Sequence, residues 1–238
     1  MNKFLNILII FFIFLSTNLI AKENIMILKL KDGDVKIEMY PDVAPNHVKR
    51  IQELANSGQY DNVVFHRVID GFMAQTGDVK FGNSSSKDFD LRRAGIGGSD
   101  LPDLNQEFND LPHDRGTVSM ARSSDPNSAN SQFFICFKPA PFLDRQYTVF
   151  GKVIEGMEFV DMITKGDGDN GAVSNPDKII SFKSQSTKFS FCTIMDKNTW
   201  FERIQGFWSI MCENLKRCQV LALNTVQSGF MWIRVFVQ

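Results

Sequence analysis

Residues 65–78 read FHRVIDGFMAQTGD, and residues 116–122 and 130–135 read GTVSMAR and NSQFFI. If 65–69 and 72–76 are strands, alternation puts Arg67 on the face that also carries Phe65 and Ile69, and it puts Met73 and Gln75 on one face of the next strand. A guanidinium beside Phe, Met and Gln is not how a plain core is built. The residues alone leave two readings open: an arginine that rests its stem along a barrel rim, or part of a site.

Working outward, Ile25–Leu30 is rich in branched residues, as in a strand, and Asp32-Gly33 is a hairpin signal. Val35, Ile37 and Met39 then alternate with Lys36, Glu38 and Tyr40, the period of a half-buried strand. Ala44-Pro45 opens a helix with Val48, Ile51, Leu54 and Ala55 on one face and Gly58 as its stop. Short apolar runs at 62–69, 72–76, 117–121, 132–137 and 147–154 follow, punctuated by Gly, Asn, Asp and Pro. A second helix is expected over 156–164, with Met157, Val160 and Ile163 on one face. Short strands with two helices predict a closed antiparallel sheet whose ends are covered by helices. The acidic loop 166–178 fails as a calcium loop, since counting from Asp167 puts Ala172 and Lys178 where Gly and Glu are needed.

The two quoted segments, in this order and at this separation, resemble the cyclophilin family of peptidyl-prolyl cis-trans isomerases, and its bacterial exported branch in particular. The similarity extends over about 25–183, through Ser57–Asp61 and Tyr147–Val153. It implies a mainly β fold, an eight-stranded antiparallel barrel closed by two helices. It also implies rotation about X–Pro bonds in unfolded or flexible polypeptides, with no cofactor and no metal. By the resemblance Arg67 is the catalytic arginine, with Phe72 and Gln75 beside it. Met73, Phe134 and Leu143 join Phe72 around the proline ring, Gln132 holds substrate backbone, and Ala121, Arg122 and Ser123 run beside the residue before proline. Phe142 stands where the family usually has tryptophan, so weak or no cyclosporin binding is expected. Tyr147 replaces a usual histidine, as in many bacterial relatives. The chemistry suits these residue types. No bond is made or cut, and what accelerates rotation is preference for the twisted imide. A permanently charged guanidinium can serve that state by hydrogen bonding. His66 is expected to be structural. The reading from another class is a proline-binding chaperone or scaffold with negligible turnover.

The ends differ from the body. Lys3, the apolar run Phe4–Leu15 and the small residue Ala21 predict a signal peptide over 1–21 and an exported, periplasmic protein; an uncleaved signal that anchors the chain to a membrane is the alternative. The domain is expected over 22–183, with 19 Lys+Arg against 24 Asp+Glu, a balance that argues against nucleic acid as a partner. The cysteines Cys136, Cys192, Cys212 and Cys218 form no CxxC pair and read as unpaired small hydrophobes. Residues 184–238 hold all three tryptophans and form an atypical tail, with Trp200, Ile204, Trp208, Met211 and Leu215 at helical spacing. Three readings stand for it: a docking or membrane-surface helix, an extra element packed on the barrel, or appended sequence without function. Nothing points to an oligomer, so a monomer is the default.

Overall fold

The computed structural model describes residues 24–185; the expected signal segment, the tail from 186 onward and three of the four cysteines lie outside the described residues. Eight strands make one antiparallel sheet: β1 Ile25–Lys29, β2 Asp34–Met39, β3 Arg67–Ile69, β4 Met73–Thr76, β5 Thr117–Met120, β6 Phe133–Cys136, β7 Val149–Glu155 and β8 Ser181–Ser184. Their spatial order is β3-β4-β6-β5-β7-β2-β1-β8. The sheet curls until its two ends meet. The Asn62 and Phe65 N–H groups donate to the carbonyls of Ile179 and Asp177, both at 2.8 Å, and Ile179 N–H donates to Val63 O at 2.8 Å. A single bridge, Val64 to Lys178, lies between them. The expected barrel is therefore joined along this seam by a short bridge rather than a full ladder.

The expected alternation in β2 is observed: Val35, Ile37 and Met39 are buried while Asp34 and Glu38 face solvent. The hairpin before it forms too, with Leu30 N–H donating to Gly33 O at 3.0 Å. Gly33 is not in the left-handed region, however. A Cβ there would lie 2.4 Å from the Phe159 ring, so this glycine serves close packing rather than the turn.

Helix α1, Pro45–Asn56, buries Val48, Ile51, Leu54 and Ala55 against the sheet. It stops as the sequence predicts. Gly58 takes φ 78, its N–H bonds Ala55 O, and Gln59 N–H bonds Leu54 O, the paired contacts of a Schellman ending. Its start is different. Ala44 offers no side-chain cap; the cap comes from Glu107, sixty residues on. That carboxylate accepts from the N–H groups of Asn46 and His47 at 3.1 Å, from Asn46 Nδ2 at 2.7 Å and from His47 Nδ1 at 2.6 Å. Helix α2, Met157–Asp161, is shorter than the predicted 156–164. Gly156 precedes it in the left-handed region at φ 83. Beyond it, Thr164 N–H and Oγ1 both turn to Asp177 at 2.8 Å instead of continuing the helical ladder.

One expected facing is corrected. Phe65 lies in the barrel core with Val68, not on the face of Arg67. The chain between Phe65 and Arg67 is not yet strand, so strict alternation does not run through it.

Burial pushes the Glu107 carboxyl upward, but the hydrogen bonds from His47 and Asn46 outweigh it and hold its pKa below the usual carboxylate range. The cap is therefore an anion on a helix N-terminus. Glu107→Ala is expected to cost about 2 kcal/mol in urea unfolding at pH 7. Because the folded pKa is depressed, the contribution is present above the unfolded value and lost as pH falls. The gap between variant and wild type should narrow below about pH 4.

Candidate active site

Strands β5 and β6 are buried on both faces, and β4 everywhere except at Gln75, which explains why FFI reads as an apolar run rather than as alternation. One face, with Val68, Ala74, Val118, Met120, Phe133 and Ile135, belongs to the barrel core. The other face forms a second, smaller cluster of Met73, Phe134, Cys136, Ala140 and Leu143, with Ile69, Phe72, Ala121 and Tyr147 packed on it. Register sets the rows: Arg67 pairs with Gln75, Gln75 with Phe134, and Phe134 with Ser119. Residues directly opposite in an antiparallel pair share a face. The guanidinium, the amide and the Phe134 ring thus line up across three strands. A 3-10 turn, Pro141–Leu143, brings Leu143 onto this face.

Phe134 is the best-fixed ring. His113 stacks on it at 6.1 Å and 16°, and Tyr147 meets it edge-on at 5.8 Å and 82°. His113 is itself held, with Nδ1 2.9 Å from Asp144 Oδ1 and Nε2 3.1 Å from Ser119 Oγ. Phe72 packs against Phe142 at 5.4 Å, and Phe142 is 63% exposed. It forms the open lip of the patch. Cys136 lies in the floor, where burial pushes its thiol up to about 12 and keeps it protonated.

Arg67 sits at the edge of this apolar patch. Its Nη1 donates to Gln75 Oε1 at 3.3 Å, Nε to the Asn170 carbonyl at 2.9 Å and Nη2 to Asn170 Oδ1 at 2.8 Å. A guanidinium has five N–H donors, so two remain without a partner among the described residues. Burial lowers its pKa, with Tyr147 opposing; the group stays charged. The direction of the chain behind it is unambiguous. Gln132 Nε2 donates to Gly95 O at 2.9 Å and Gly97 O at 2.7 Å. Both partners are pure acceptors, so Gln132 must turn its Oε1 toward Gln75, which donates to it at 3.0 Å. Gln75 is left with its own oxygen facing Arg67. The loop that supplies those carbonyls is tied down by Asp78, whose buried carboxylate accepts from the N–H groups of Lys80, Phe81, Gly95 and Gly97.

The structure therefore brings together Arg67, Phe72, Met73, Gln75, Ala121, Gln132, Phe134, Phe142, Leu143 and Tyr147. Arg122 and Ser123 behave differently. Arg122 folds back, donating to Gln146 O, Ser123 O and Ser124 O while lying 4.5 Å over the Tyr147 ring. Ser123 N–H donates to Ser128 Oγ. Arg122 is thereby tied to the Tyr147 edge of the patch, and Ser123 is an exposed residue of the adjoining 123–128 loop. Sequence reasoning gave no role to Asn170, Asp78, His113 or Asp144. Of these only Asn170-Gly171 carries a local signal, a turn dipeptide.

Both ring nitrogens of His66 are buried without a hydrogen-bond partner among the described residues. Burial pushes its pKa down to about 4, with Asp78 raising and Arg67 lowering it. The imidazole is neutral, in keeping with a structural rather than acid–base role.

The comparisons with known proteins agree with this architecture. The family described as cyclophilin-type peptidyl-prolyl cis-trans isomerase/CLD matches residues 25–184. A probable peptidyl-prolyl cis-trans isomerase of Brucella suis biovar 1 is 64% identical over 159 residues, 66% of this chain and 81% of the relative. A peptidyl-prolyl cis-trans isomerase of Arabidopsis thaliana is 44% identical over 126 residues, 53% of this chain and 54% of the relative. The crystal structure of a Cryptosporidium parvum cyclophilin in the presence of the dipeptide Ala-Pro aligns with TM-score 0.58 and 29% identity, covering 68% of this chain and 99% of that one. A cyclophilin from Hirschia baltica aligns with TM-score 0.57 and 29% identity, covering 68% and 74%. The chain belongs to the cyclophilin-type peptidyl-prolyl cis-trans isomerase family. It is an enzyme of that class.

The neutral His66 sets a pH dependence. Its folded pKa lies below the unfolded value of about 6.5, so the unfolded chain takes up a proton first as pH falls. Stability should be full above about pH 6.5 and decline by up to about 3 kcal/mol toward pH 4. His66→Phe should flatten that slope in denaturant titrations at pH 7, 5.5 and 4.5.

Proposed function

We propose that the enzyme isomerises X–Pro bonds in exported, incompletely folded polypeptides, with Arg67 assisting rotation over an apolar proline floor. The carrying observation is the placement of Arg67: fixed at the rim of the Met73–Phe134–Leu143 patch, with two N–H groups unspent. Rotation about a peptide bond costs about 18–20 kcal/mol because amide resonance is lost. In the twisted state the proline nitrogen becomes pyramidal and regains a lone pair that a guanidinium N–H can hydrogen-bond. Phe72, Met73, Phe134 and Leu143 hold the ring while the preceding carbonyl swings. An apolar floor also lowers the local dielectric, which strengthens the arginine's interaction with that state. Gln75 and Gln132 present polar groups along the same face for substrate backbone, and Ala121 flanks the residue before proline. The relative crystallised in the presence of Ala-Pro supports a proline-containing ligand for this groove.

Phe142 supplies a smaller lip than an indole, which underlies the expected weak cyclosporin binding. Export rests on residues 1–21. In the producing cell, periplasmic protein should begin at Lys22 by N-terminal sequencing. Membrane-bound protein still beginning at Met1 would instead support the anchored form.

The mechanism is tested with Arg67→Ala in a protease-free isomerisation assay on an X–Pro peptide. The expected result is a loss of at least about a hundredfold in kcat/KM with an unchanged melting temperature. An undiminished rate would end the arginine mechanism.

A further inference from the structure

We propose that Asn170 is a positioning residue for catalysis: it fixes the orientation of the Arg67 guanidinium. The inference rests on the role given to Arg67 above. Gln75 restrains Arg67 through one bond of 3.3 Å to Nη1, which leaves the long side chain free to swing about that contact. Asn170 removes this freedom. Its carbonyl takes Nε–H at 2.9 Å and its Oδ1 takes an Nη2–H at 2.8 Å. Nε–H and the neighbouring Nη2–H lie on one edge of the planar guanidinium, so a single residue grips that edge in two places. Two-point attachment to a planar fork sets its plane as well as its position.

The loop that carries Asn170 is seated firmly enough for this task. Gly166 N–H donates to Val68 O at 2.8 Å and Val173 N–H to His66 O at 3.2 Å, on either side of Arg67. Ala172 bridges Arg67 itself. A Cβ on Gly171 would stand 2.4 Å from Ile69 Cγ1, which shows how closely the loop lies on β3.

The backbone adds a further argument. Asn170 has φ 53 and ψ 27, in the left-handed region. Glycine occupies that region without strain, and asparagine is among the few other residues that visit it. The conformation alone would be met by glycine. What asparagine adds is the amide oxygen that Arg67 Nη2 uses.

This choice of residue also defines the test. Asn170→Gly keeps the backbone and deletes Oδ1, whereas alanine would add strain of its own. In the full-length protein, kcat on an X–Pro peptide should fall about tenfold with KM within about twofold, since the guanidinium is needed in the twisted state. The decisive comparison repeats Asn170→Gly in an Arg67→Lys background, which has no fork to orient; there it should change kcat by less than about twofold. An unchanged kcat in the single variant would overturn the proposal, as would a tenfold loss that persists in the Arg67→Lys background. These outcomes differ from failure of the arginine mechanism, which would appear as full activity in Arg67→Ala by itself.

Discussion

Burial of β4, β5 and β6 on both faces is the constraint on which the rest of the molecule depends. Their inner face joins the barrel core through Ala74, Val118, Phe133 and Ile135. Their outer face is covered by the Pro141–Leu143 turn, Tyr147 and Phe72. A sheet that buried only its inner face would show water the alternate residues. Here those residues are Met73, Phe134 and Cys136, which together make a second apolar surface outside the barrel. The floor of this second patch is thus the back of the core wall, and its rigidity is that of the sheet itself.

A charged side chain beside such a surface needs partners that hold its direction without neutralising it. Among the described residues Arg67 has none of the carboxylates that accompany Arg115 or Arg145. It is held by neutral acceptors, the amide of Gln75 and the amide and carbonyl of Asn170. Neutral partners fix the geometry of the guanidinium and leave its positive charge uncompensated at the edge of the patch. The polarity of the Gln75 amide traces back through Gln132 to two glycine carbonyls, and the loop that carries them to Asp78. The direction of the Gln75 amide is thus set by a buried carboxylate on the far side of a relay of hydrogen bonds.

Glu107 and Asp78 play parallel parts. Each is an acidic side chain that gathers backbone N–H groups from distant segments: the start of α1 in one case, the turns at 80–81 and 95–97 in the other. Long loops without regular structure leave N–H groups that must find acceptors when covered. A carboxylate with four or more lone-pair positions is an economical answer, since charge-assisted bonds are the stronger kind.

Local pattern carried much of this into the sequence. The alternation of Val35, Ile37 and Met39, the Pro45 start and Gly58 stop of α1, and the apolar runs of β5 and β6 are near-neighbour effects, legible because they depend on residues a few positions apart. So was the grouping of Arg67, Met73 and Gln75, which follows from a period of two across one turn. What tertiary structure decided has large sequence separation. Glu107 caps a helix sixty residues before it, Asn170 meets Arg67 across 103 residues, and the seam joins 62–65 to 177–179. It also decided that Phe65 turns inward, that α2 ends early where Thr164 turns to Asp177, and that Arg122 folds back onto Gln146 and its own loop. Sequence determines which segments have a face to bury; only the closed sheet brings distant loops within the 3 Å at which a particular hydrogen bond forms.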